Sequence, residues 1–174
     1  MDAFIEILKI ILPAGVVFAA VYFVIKSFLK AEQTKRDHEL KKANQSTVLP
    51  LKIQAYERLI IYLERINPNT LVIRTNKNGM SSQQLQLELI KAIRTEYEHN
   101  LSQQIYVTHG SWELVKNAKE ELIKLINISS TKVSPEGPSN ELAMMVLNVA
   151  AGLDKKLPSE IAIEFIKKEV AKIF

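Results

Sequence analysis

The sequence predicts a mainly α protein: an N-terminal transmembrane helix, a charged helical stalk, a cytoplasmic bundle of about five helices, and at most a minor β-hairpin. Three observations lead to this. Of the first 29 residues 22 are hydrophobic, and the run Ile10 to Ile25 (IILPAGVVFAAVYFVI) holds no charge. Lys26 to Gln45 is polar, rich in helix formers and free of glycine and proline. From Leu49 onward apolar residues recur at three- and four-residue spacing, the period of a helix with one buried face. The expected domains are a membrane anchor (1–29), a juxtamembrane stalk (30–47) and a helical domain (48–174).

The 16 residues of the uncharged run rise about 24 Å as a helix, short of the ~30 Å hydrocarbon core. Phe4, Ile5, Ile7, Leu8, Phe28 and Leu29 extend the apolar surface, so lipid contact is expected over residues 4–29. Lys9, Lys26 and Lys30 flank the span, with stems long enough to bring their ammonium groups to the headgroups. Pro13 falls early in the buried part, where a membrane helix tolerates it. An acidic start (Asp2, Glu6) and lysines after the run disfavour a cleaved signal peptide. The absence of a polar face disfavours an in-plane helix. A buried core helix stays open at this length. Six Lys and Arg in residues 26–42 against one in residues 1–9 place the N-terminus outside and the rest in the cytoplasm. Gly15 and Ala19 form a small-xxx-small pair suited to a helix–helix contact in the bilayer, although such pairs also arise incidentally.

In the stalk, Glu32–Arg36 and Asp37–Lys41 stand at the i,i+4 spacing of helical ion pairs. Its basic residues suit anionic headgroups, but a solvated stalk obeying the topology rule explains the same residues and is the preferred reading. Ser46 and Thr47 offer N-caps for a helix from Leu49 to Ile66, with Leu49, Ile53, Tyr56, Leu59, Ile60, Leu63 and Ile66 inward. Asn67-Pro68 stops it. Leu71–Thr75 and Ile105–Val107 have strand composition and are the two candidate arms of the hairpin. Ser81, with Gln84 three residues on, opens a helix burying Leu85, Leu89, Ile90, Ile93 and Tyr97. Ser111 caps the next, Trp112 to about Ile126, with Trp112, Val115, Ala118, Leu122, Leu125 and Ile126 inward. Residues 127–139 read as the clearest loop. Ser139 starts a helix closed by Gly152, apolar on most faces and so expected at the centre of the core. The last begins at Pro158-Ser159 and buries Ile161, Phe165, Ile166, Val170 and Ile173.

Little here points to catalysis. The chain has no cysteine, which excludes disulfides, thiolate metal sites and a cysteine nucleophile. Its 5 glycines are scattered, so there is no phosphate-cradling loop. Glu96 and His99 have the i,i+3 spacing of di-iron bundles, without the second such pair that chemistry needs. His109 lies near Ser111 without a nucleophile elbow. No catalytic, cofactor-binding or metal-binding residue is assigned. Residues 26–42 hold +3 of the net charge of +4, and no basic stripe with aromatics suggests nucleic acid. Met144 and Met145, adaptable packing residues, and the terminal pair Ile173 and Phe174 are the candidate partner contacts, with core packing as the alternative.

The segments LPLKIQAYERLIIYLERINPN (Leu49 to Asn69) and HNLSQQIYVTHGSWELVK (His99 to Lys116) resemble an uncharacterised family of small single-span membrane proteins of the Bacteroidota. The likeness is one of overall pattern over most of the chain. It implies a bacterial inner-membrane setting and carries no activity or site. The resulting expectation is a membrane-anchored helical interaction module, an accessory or scaffold subunit with a protein partner or self-association, and not an enzyme. The alternative is a small-ligand sensor, or an enzyme with a site assembled from scattered residues.

Overall fold

The structure is a computed structural model that describes residues 2–173, with side chains placed for 15–42 and 45–173. Among the described residues the helices are α1 (Asp2–Arg65), α2 (Pro68–Thr75), α3 (Ser82–Glu98), α4 (His109–Ser130), α5 (Ser139–Ala151) and α6 (Pro158–Ala171), with a 3-10 helix at Leu101–Ile105. The chain divides into two compact units, Met1–Leu49 and Pro50–Phe174.

Within the first unit, the predicted stalk is helical as its composition demands, and Arg36 reaches Glu32 at 2.8 Å. The helix does not restart at Ser46 or Thr47. A cap needs a residue that leaves helical dihedrals, and nothing between Lys26 and Leu49 forces that departure, so α1 runs through. Pro50, the next residue, brings no N–H to α1 and marks the division between the units. The predicted transmembrane helix gains no support: among the described residues no helix is long and apolar enough to cross a membrane. The described apolar stretch, Gly15 to Ile25, rises only about 16 Å before Lys26. The side chains of Ile10 to Ala14, which begin the predicted span, lie outside the described residues, as do those of Phe4, Ile5, Ile7, Leu8 and Lys9.

The second unit has its own core. Tyr56, Leu59, Tyr62 and Leu63 of α1, and Ile66 just after it, are buried in one cluster with Leu85, Leu89 and Ile93 of α3 and the Trp112–Ile126 face of α4. Leu142 and Val146 of α5 and Ala162 and Ile166 of α6 complete it. The central element is α4, which packs on α3, α5 and α6. The expectation that α5 is central fails, because its apolar surface exceeds what its neighbours cover. Leu142, Ala143 and Val146 are buried, whereas Met144 is 65% exposed. On α6 the buried face is Ala162, Ile163 and Ile166, and the predicted Ile161 points outward.

The hairpin is absent among the described residues. Leu71–Thr75 lies in α2, where Asn67 accepts from the Asn69 N–H at 3.1 Å and Pro68 occupies the first turn. Burial at Pro68, Leu71 and Val72 follows helical spacing and leaves Ile73 78% exposed. A strand would have buried Ile73 in place of Val72. Ile105–Val107 closes the 3-10 helix and offers no partner strand.

Two further boundaries move. The cap of α4 is Thr108, whose Oγ1 accepts from the Ser111 N–H at 3.3 Å, so Ser111 stands inside the first turn and is buried. The predicted loop begins only after Ser130, and its carbonyls finish α3. Ser81 and Gln84 form the expected capping box, and Pro135 and Gly137 accept from the N–H groups of Gln83 (3.0 Å) and Ser82 (2.8 Å). Gly79, at φ 85°, makes the left-handed turn that leads the chain into this arrangement.

Candidate functional site

From Gly15 to Leu29 each described side chain of α1 is exposed. Phe18 is 74% exposed, Phe23 68% and Phe28 67%, and they point in different directions around the helix. Such a surface is unfavourable in water by roughly 25 cal/mol per Å² and needs an apolar environment to cover it. Gly15 and Ala19 lie one turn apart, and no described heavy atom comes within 4 Å of where a Cβ on Gly15 would stand. Lys26 closes the stretch with its ammonium 5.8 Å from the Tyr22 ring, and the Lys30 carbonyl accepts from the Thr34 hydroxyl at 2.9 Å.

In the second unit the predicted partner contacts separate. Met144 is exposed on α5, Met145 is half-buried beside it, and Ile173 packs against the core at the far end of α6. Phe174 lies outside the described residues. The methionines stand on α5, and Ile173 follows the last turn of α6.

Glu96 is engaged away from His99. Its carboxylate takes Arg65 at 2.7 Å and Arg74 at 3.6 Å, tying α3 to the end of α1 and to α2. His109 is exposed, 4.0 Å from Glu113, whose carboxyl is held below the usual range by its bond to Lys116. Among the described residues no group of three or more His, Asp or Glu is placed to hold a metal ion. Behind Glu96, the Tyr97 ring stacks on Trp112 with centroids 5.5 Å apart and receives the Lys119 ammonium at 4.2 Å. Tyr62 packs on the same ring, and its buried hydroxyl has no hydrogen-bond partner among the described residues. Burial pushes the Tyr62 phenol well above its ordinary range, with Tyr97, Glu96 and Glu120 adding to the effect. Helical spacing from Leu59 could have found Tyr62. The Arg65–Glu96–Arg74 tie joins three helices and leaves no trace in local spacing.

A recess of about 180 Å³ opens beside α4, between the end of α5 and the start of α6. Ala118, Leu122, Leu125 and Val149 line it, with Leu157 and Ser159 at the α6 end. Sequence spacing gave no sign of it, because its walls come from four separate segments.

Fold and surface together define a class: a helical unit with its own core, preceded by a helix whose described apolar stretch is exposed. The chain belongs to a family of unknown function (DUF7935), whose profile matches residues 2–173. No curated protein and no solved structure gives a significant match. The match establishes an uncharacterised family and leaves the Bacteroidota lineage and the single span as expectations.

Proposed function

We propose that the protein is a membrane-anchored helical interaction module, an accessory or scaffold subunit at the cytoplasmic face of a bacterial inner membrane, as the resemblance to single-span Bacteroidota proteins implies. One observation carries the reading: the described side chains from Gly15 to Leu29 leave apolar surface exposed around the whole helix. Ile10 to Ala14 then complete the span, residues 4–29 meet lipid, and Lys9, Lys26 and Lys30 reach the headgroups. The lysine and arginine excess after the span sets the N-terminus outside. Gly15 and Ala19 supply a contact between anchors, and Met144, Met145, Ile173 and Phe174 supply partner contacts on the helical unit. The role is binding and positioning, without catalysis.

The test is flotation of the full chain with vesicles after an alkaline carbonate wash, together with reporter fusions at each terminus. The full chain is expected to float, and the double variant Phe18→Lys, Val21→Lys to stay in the soluble fraction. Release of the unaltered chain by carbonate, or a reporter placing the helical unit outside, would refute the proposal.

A further inference from the structure

We infer that the groove between α2, α3 and the end of α1 docks an acidic segment of a protein partner, one that alternates carboxylates with leucine-like residues. The inference rests on the reading of the chain as an interaction module and names the chemistry of one partner. The groove has a volume of about 790 Å³, and the residues that line it all belong to the second unit. Gln84 to Thr95 of α3 forms its long wall, a run of about 16 Å, which an extended segment of about five residues matches.

Charge sets the first requirement on the occupant. Arg65, Arg74, Lys77 and Lys91 line the groove with Glu88 and Glu96, a surplus of two positive charges. Arg65 and Arg74 converge on the same oxygen of Glu96, Oε1, at 2.7 and 3.6 Å. This contact holds both guanidiniums in the groove wall and uses only part of their donor sets, so an incoming carboxylate finds N–H groups already in place. Lys91 is no closer than 3.9 Å to Glu88, and Lys77 has no ion-pair partner among the described residues. Both ammonium groups can turn to a partner carboxylate with little to give up.

The apolar lining sets the second requirement. Leu87 is 61% exposed within the groove, and Met80 and Ala92 also line it. A partner leucine laid there removes apolar surface of both chains from water. Side chains of an extended segment alternate between two faces, so alternate carboxylates and leucines reach the cations and the apolar residues separately. The same lining disfavours two other anions. Among the described residues no aromatic side chain lines the groove, so RNA bases have no stacking platform. Glu88 and Glu96 repel a phosphate dianion more strongly than a singly charged carboxylate.

The full chain in a nonionic detergent is titrated against the fluorescein-labelled peptide GELELEG and read by fluorescence anisotropy. Saturable binding is expected, weakening about tenfold between ~0.1 M and ~1 M salt as the Debye length falls from about 10 to about 3 Å. The peptide GEQEQEG should bind about fivefold more weakly for want of the apolar contact, and GKLKLKG should not bind. Lys77→Glu and Lys91→Glu should each weaken GELELEG about fivefold, and Leu87→Gln by a similar factor of about five. All three positions are exposed, so these variants keep the fold. Lys155→Glu, the same charge change on the exposed connection between α5 and α6, should leave the affinity unaltered. Absence of saturable binding, or equal weakening by Lys155→Glu, overturns the site. Tighter binding of pyrophosphate or of an oligouridine in competition overturns the assignment of the occupant. A chain that floats with vesicles and leaves the peptide unbound refutes the groove alone, whereas one that binds the peptide and is released by carbonate refutes the anchor alone.

Discussion

Replacing Tyr62 by phenylalanine should stabilise the protein, whereas the same change at Tyr56 should destabilise it. The Tyr62 hydroxyl is buried and unpartnered among the described residues. Tyr56, equally buried, accepts from the Thr108 N–H at 3.2 Å. An unsatisfied buried polar group costs about 1–3 kcal/mol, so deleting the Tyr62 oxygen should gain about 1 kcal/mol once the small void it leaves is set against this. Deleting the Tyr56 oxygen loses a bond and strands an amide, a cost of about 1–2 kcal/mol. The two variants should differ by roughly 2–3 kcal/mol, or about 6–15 °C in Tm for a unit of this size. Trp112, the only tryptophan, stacks on Tyr97 beside Tyr62, so its fluorescence reports unfolding of this core directly. The pH profile gives a second reading. Because the folded state raises the Tyr62 pKa, this tyrosine's contribution to stability is intact below about pH 10 and is lost as pH rises above it, by up to about 1.4 kcal/mol per pH unit. Tyr62→Phe has no such loss, so its advantage over the parent should widen above pH 10. A Tyr62→Phe variant that unfolds as early as Tyr56→Phe would show that the hydroxyl has a partner in solution and would refute the reasoning.

Two further changes test the ties around this core. Glu96→Gln should lower the urea midpoint by the equivalent of about 1 kcal/mol, discounted because both arginines are substantially exposed, and the loss should shrink in high salt; an effect indifferent to salt would point away from Arg65 and Arg74. Thr108→Ala should cost about 1 kcal/mol by uncapping α4, with Thr108→Ser retaining most of it; equal losses in the two variants would locate the effect in the methyl group and not in the cap.

What the sequence discloses and what it hides follow from the range of the interactions. The inward faces of α3 and α4 were legible residue by residue, since Leu85, Leu89 and Ile93, and Trp112 through Ile126, repeat at the helical period without interruption. Leu71–Thr75 misled because its β-branched residues speak for a strand. The cap at Asn67 and burial of Pro68, Leu71 and Val72 against α3 and α5 outweigh that preference, and neither neighbour is visible locally. Ser46 and Thr47 misled for the converse reason: capping residues inside a run of helix formers cost too little to stop a helix. The Arg65–Glu96–Arg74 tie and the Ser159 recess are tertiary in origin. Each gathers residues far apart in the chain, and a carboxylate or a hydroxyl carries no mark of its distant neighbours.

The segment from Lys132 to Pro138 has the composition of a spacer, with two prolines and a glycine. Its carbonyls nevertheless finish the first turn of α3, the Ser82 hydroxyl donates to Pro138 at 3.1 Å, and the Ser139 N–H returns a bond to Met80 at 3.0 Å. It is therefore a buckle between α3 and α5. An epitope tag or a protease cut placed there, at the stretch a composition plot would recommend, would strand the leading amides of α3 and unfasten α5 from it at once. A neutral insertion point has to be sought where the backbone closes no other helix.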